Sequence, residues 1–298
     1  MTTRRPIDRG LTLGLGAYVL WGLLPLYLKL LNGVPPLQVL AHRVLWSSVL
    51  LVLGAVVLKR VGAIRAAARG RTLLMLSASA ALIAVNWLLY IWAVQSGHVL
   101  EASLGYFINP LVNVALGVAV LGERLRRVQG VAVALAGAGV AAFAWGAGAL
   151  LWMPLTLAVS FSLYGLIRKT VAIDALGGLL IETLILAPVA VAILAHAHGT
   201  GRGAFGRDAG LDGLLLISGA LTAAPLLLFA AAARRLRYAT LGLLQYIGPT
   251  LGLLQAVLLF GEPFRTVHLV TFGLIWAGCA LYAWDSLREA REREHVLA

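Results

Sequence analysis

Along this chain, long apolar stretches alternate with short polar punctuation rich in Arg and Lys. The stretches run for about 20 residues, which is what a helix needs to cross a hydrocarbon core of roughly 30 Å. Lipid offers the backbone no hydrogen bonds, so each stretch is expected to satisfy its own N–H and C=O groups as a helix. Ten helices are expected, near residues 11–31, 36–58, 72–94, 100–121, 127–145, 150–167, 176–195, 213–232, 238–260 and 267–284. The fold class is therefore an all-α integral membrane protein.

Composition sharpens this picture. Of the 298 residues 61% are hydrophobic and 12% charged, and mean hydropathy is +0.92. Soluble domains run near 45–50% apolar and about 25% charged, so one core cannot hide this much apolar surface. The first apolar run is span-length, lacks a small-residue cleavage site and carries Lys29 near its end, so a cleavable signal peptide is not expected. The single cysteine, Cys279, lies inside an apolar run and excludes a disulfide framework or cysteine zinc site.

A net charge of +12 would raise nucleic acid as a partner in a soluble protein. Here the charges sit between apolar stretches and read as topology signals. With the N-terminus inside, 19 of the 24 Arg and Lys fall in cytoplasmic segments. The outer loops hold only Arg202, Arg207 and Arg265, and Lys29 and Arg43 lie within spans. This positive-inside bias predicts an even number of spans with both ends in the cytoplasm, a plasma (inner) membrane protein.

Sliding the sequence on itself by 139 residues superposes Pro110 on Pro249, Gly122-Glu123 on Gly261-Glu262, Gly139 on Gly278 and Trp145 on Trp284. The expected organisation is a tail over 1–10, one repeat over 11–145, a second over 150–284 and a tail over 285–298. Five helices per repeat is an odd number, so the second repeat runs upside-down relative to the first. Inverted repeats characterise secondary transporters, whose substrate sites lie near the midplane between halves.

Polar residues inside the spans supply the candidate site. Pro110 and Pro249 each interrupt the middle of an expected helix, beside Asn109 and Asn113 in one half and Gln245, Tyr246 and Thr250 in the other. Proline frees a carbonyl one turn upstream, which suits a polar cavity; packing kinks are the alternative. Arg43 and Glu182 are also related by the 139-residue offset. A charge at a span's centre costs about 2.5–3.5 kcal/mol on the insertion scale, so neither is expected to face lipid. Either Arg43 takes a polar or anionic substrate group and Glu182 a proton or cation, or they pair with each other or with helix carbonyls as structural glue. Asn86 and Tyr90 on the third span complete the midplane set. Trp87 and Tyr90 share a helix face, which suits a planar ligand or an interfacial aromatic belt. Glu182, Glu101 and His42 are the candidates for coupling or gating. His196 and His198 are expected in a solvated outer loop. No phosphate-binding loop, zinc-protease motif or nucleophile elbow is present; no catalytic residue, cofactor or metal is expected, and any active transport would draw on solute or ion gradients.

The segments Trp21-Gly-x-x-Pro-x-Tyr-x-Lys29, His42-Arg43, Asn86-Trp-Leu-Leu-Tyr-Ile-Trp92, Glu101-Ala-Ser-Leu-Gly-Tyr-Phe-Ile-Asn-Pro110, Tyr164-Gly-Leu-Ile-Arg-Lys169, Ile181-Glu-Thr183 and Gln245-Tyr-Ile-Gly-Pro-Thr250 closely resemble the RarD family, of the EamA group in the drug/metabolite transporter superfamily. The resemblance covers nearly the whole chain. It implies ten helices in two EamA repeats and export of a small metabolite or drug by a permease, with an association to chloramphenicol. The partners expected are a small-molecule substrate and the bilayer.

Overall fold

The computed structural model describes residues 6–121, 126–147, 151–233, 235–236 and 244–297. Its helices are α1 (Pro6–Gly22), α2 (Leu24–Leu30), α3 (Pro36–Val57), α4 (Val61–Ala67), α5 (Gly70–Gln95), α6 (Val99–Leu121), α7 (Arg127–Ala147), α8 (Trp152–Thr170), α9 (Ala175–Gly199), α10 (Ala209–Ala233), α11 (Ile247–Leu258) and α12 (Thr266–Leu297). Among the described residues there is no strand.

Eight helical segments of the described chain are long and apolar enough to cross a membrane. The other two expected spans differ in instructive ways. The sixth is present as α8, but Thr156, Ser160, Ser162, Tyr164, Arg168 and Lys169 make it more polar than a lipid-facing helix. At the ninth, Gln245 and Tyr246 form a turn and α11 spans only 12 residues; residues 237–243 lie outside the described chain. Pro249 thus falls in the first turn of a helix, where its missing N–H costs nothing, whereas Pro110 sits inside continuous α6.

Three further departures have local causes. The first expected helix is two: it breaks at Leu23, and α2 restarts with Pro25 in its opening turn. The loop after α3 contains the short α4, anchored by buried Ile64. The last helix continues well past 284, the expected limit, into charged sequence.

Packing crosses between the two halves of the chain. α7 lies along α12, α3 against α9 and α10, α6 against α8 and α11, and α1 against α10 and α11. Small residues permit the closest approaches. A Cβ on Gly278 would lie 2.5 Å from the Ala132 carbonyl oxygen, and one on Gly139 would lie 2.9 Å from that of Thr271. Close backbone approach of this sort replaces the hydrophobic driving force that helices lack in lipid. Around the outside, large apolar side chains such as Leu30, Val57, Leu74 and Leu258 are more than half exposed. An apolar surface of this extent belongs in hydrocarbon.

Gly278→Ala is expected to destabilise the purified protein by about 1–3 kcal/mol through overpacking, read as a lowered thermal-unfolding midpoint in detergent. Gly273→Ala on the same helix meets nothing within 4 Å and should leave the midpoint unchanged or slightly raised.

Candidate functional site

Arg43 is the eighth residue of α3, which puts it roughly 10 Å along the helix at ~1.5 Å per residue. It is 3% exposed. Its Nε donates to Thr222 Oγ1 of α10 at 3.1 Å, and its guanidinium lies over the Trp87 ring, 5.3 Å from the centroid. Tyr27, Tyr90 and Tyr106 lie within range of its charge. Its Nη1 has no hydrogen-bond partner.

Glu182 is the eighth residue of α9 and is fully buried. Unlike Arg43, it is well supplied with partners. Ser79 of α5 donates to Oε1 at 2.5 Å, Tyr164 of α8 donates to Oε2 at 3.4 Å, and Arg168 Nη1 stands 3.7 Å from Oε1. Arg168 reaches this carboxylate across Gly178, whose missing side chain leaves the space: a Cβ there would lie 1.4 Å from Nη1. The same guanidinium donates to the carbonyls of Asp174 and Ala175. Arg43 and Glu182 therefore have separate partners, and the idea that they pair with each other is corrected: each finds closer company on a neighbouring helix.

Between these charges runs a line of polar and aromatic side chains. Asn86, fully buried, donates to the Leu157 carbonyl and to Ser160 Oγ, both at 2.9 Å, and accepts from Tyr106 at 3.1 Å. Tyr106 meets Tyr90 edge-on at 5.5 Å and Phe161 at 5.8 Å, and Phe161 meets Tyr164 at 6.0 Å. The sequence-derived residues Arg43, Asn86, Tyr90 and Glu182 thus lie along one line through α3, α5, α6, α8 and α9.

The remaining candidates distribute differently. Asn109 is 1% exposed with both amide atoms unpartnered, whereas Asn113, four residues on, is exposed. Tyr246 stacks on Phe107 at 6.0 Å and an interplanar angle of 15°. Phe107 and Tyr106 are adjacent on α6 and their rings take different partners, so Tyr246 belongs to a second aromatic group with Phe272 and Trp276. Gln245 and Thr250 are partly buried, and Thr250 donates back to the Tyr246 carbonyl. His42 stacks on Phe205 at 5.4 Å. Glu101 is partly buried in the first turn of α6, within range of Glu262. His196 and His198 belong to the last turn of α9, where a loop was expected.

The comparisons with known proteins decide what this arrangement is part of. Residues 8–145 match the EamA-like transporter family. The chain is 48% identical to an uncharacterized transporter of Pseudomonas aeruginosa, covering 96% of each, and 45% identical to Protein RarD of Escherichia coli, covering 95% of this chain and 96% of that one. The chain belongs to the RarD family of EamA-type membrane transporters. It is accordingly a multi-pass protein of the inner membrane. A further Pseudomonas aeruginosa relative, 38% identical over 96% of this chain and 97% of its own, is named chloramphenicol-sensitive protein RarD. A solved crystal structure shares the fold at a TM-score of 0.62 and 18% identity, covering 92% of this chain and 97% of that one.

Two polar ties of this RarD-family chain were not foreseen. Glu262, 9% exposed in the loop before α12, accepts from Val99 N at 2.9 Å and Leu100 N at 2.7 Å. It therefore caps α6, placing negative charge at the positive end of the helix. The Gly261-Glu262 motif stood out in the sequence as a repeat signature; its equivalent, Gly122-Glu123, lies outside the described residues. Gln38 of α3 donates to the Arg202 carbonyl and accepts from Ala204 N, both at 3.0 Å, while Phe205 packs on His42 and Trp46. The loop after α9 is thereby fastened across the end of α3 that leads to Arg43. No sequence motif marks Gln38 for this role.

Arg168→Met strands the Glu182 carboxylate without its cation. Breaking such a pair costs about 3–5 kcal/mol when buried, and the lower end is expected because Arg168 keeps some exposure. Thermal unfolding should show this loss, and adding Glu182→Gln should recover most of it. A double variant no more stable than Arg168→Met alone would mean that Arg168 acts only through the Asp174 and Ala175 carbonyls.

Proposed function

We propose that this transporter is a secondary-type permease exporting a small metabolite or drug-like molecule by alternating access. In this reading ten crossing segments form two inverted five-helix repeats, over 11–145 and 150–284, with both chain ends in the cytoplasm. The polar line between Arg43 and Glu182 marks the interface where substrate passes.

The observation that carries the proposal is a symmetry of packing. Exchanging the two sets of five expected segments turns α1 with α10 into α8 with α5, α3 with α10 into α9 with α5, and α6 with α8 into α11 with α1. All of these are observed neighbours, while α3 with α9, α6 with α11 and α7 with α12 map onto themselves. Paired bundles of opposite sense can rock about a fixed site between them. Glu182, held by hydroxyls and an arginine, is the coupling carboxylate in this scheme.

Two measurements test it. In a Cys279→Ser background, an impermeant maleimide should label Pro263→Cys in intact cells and Arg126→Cys only after permeabilisation. Labelling of both from one side removes the inverted arrangement. In proteoliposomes, a panel of small metabolites, neutral and anionic, is the first set of solutes, with chloramphenicol among the neutral ones because of the name of one relative. Saturable flux accelerated by an imposed pH gradient in the parent, and indifferent to it in Glu182→Gln, is the expected result. Binding without flux of any solute would favour a scaffold or sensor instead.

A further inference from the structure

We infer that Arg43 is the anchor for a carboxylate, so that the solute handled here is a small organic anion carrying a planar ring. This rests on the permease reading and names the class of substrate its site accepts. The inference begins from the inequality of the two buried charges. Glu182 has a cation and two hydroxyl donors of its own. Arg43 has one neutral hydroxyl and the face of an indole. Among the described residues no Asp or Glu forms an ion pair with it. Asp212, the acidic residue on this side within range of neighbouring His42, accepts instead from Gly206 N at 2.8 Å.

A guanidinium in such a setting is expensive, since a buried charge needs an opposite charge and filled hydrogen bonds. A Met or Leu at this position would pack without the penalty. The Nη1 donors are unspent and lie beyond solvent. A guanidinium fork matches a carboxylate through two parallel hydrogen bonds, which is what this group lacks. The surroundings describe the rest of the ligand: Trp87, Tyr27, Tyr90 and Tyr106 gather around one cation. Rings of this kind hold a flat apolar body by stacking and edge contacts. The fastened loop from Arg202 to Phe205 closes the same region from its end of α3.

The test uses the purified full-length protein in vesicles of phosphatidylcholine alone, with phenylacetate, phenylacetamide and acetate as probes and thermal stabilisation as the readout. Phenylacetate should bind at least about tenfold more tightly than phenylacetamide, the size of a charge-assisted hydrogen bond, and acetate should bind more weakly than phenylacetate. Arg43→Gln should erase the preference for acid over amide, and Arg43→Lys should keep its direction. Equal binding of acid and amide by the parent protein, or no binding of either, overturns the inference even if neither variant folds. So does a preference that survives in Arg43→Gln. Loss of phenylacetate binding when phosphatidylglycerol is added would assign the site to a lipid headgroup and overturn a free solute. Radiolabelled phenylacetate separates the two readings. Acid-selective binding without movement across the bilayer leaves the anion site standing and removes the permease. Saturable flux of phenylacetamide equal to that of phenylacetate does the reverse.

Discussion

Hydrocarbon accepts and donates no hydrogen bonds, and the interior of this bundle is arranged around that fact. A polar side chain within a span is stabilised by a partner on another helix or on its own backbone. Asn86 illustrates the consequence, tying α5 to α8 through Leu157 and Ser160 and to α6 through Tyr106. Ser47 and Ser48 instead return their hydroxyls to α3 carbonyls. The helices hold their places because displacing any of them would leave such a group bare in oil.

The same rule makes the two buried charges informative in different degrees. Glu182 is compensated within the chain, so its environment explains itself as structure even before any role in transport is considered. Arg43 is compensated only in part, and a structural account of it is incomplete. Sites that recognise something from outside commonly show this kind of deficit, because groups fully satisfied by the protein have nothing left to offer a ligand.

Much of the architecture could be read from hydropathy, because a span must be apolar for most of its length. Where the fold departs from that reading, another force takes over. α8 packs against α5 and α6, where its serines are buried, and its two basic residues fall in its last turn. The break at Leu23 follows from Pro25, and α4 is too short to leave a hydropathy signal. In the site, Arg43 and Glu182 were conspicuous as charges in the wrong solvent. Their partners were not, since Thr222 lies 179 residues from Arg43 and Ser79 lies 103 from Glu182. Gln38 gave no sign of its role because its amide serves backbone atoms, which carry no sequence identity. Asn113, one turn beyond buried Asn109 on the same face of α6, is exposed.

The cap on α6 bears on how such a protein can be made. Its carboxylate arrives 163 residues after Val99, when all but the final helix has emerged from the ribosome. Until then the start of α6 presents bare amide donors to whatever medium surrounds it. The amino-terminal half, although residues 8–145 match the EamA-like transporter family, is thus left unfinished at one end. A fragment that stops short of the final loop would lack the carboxylate that closes this helix end.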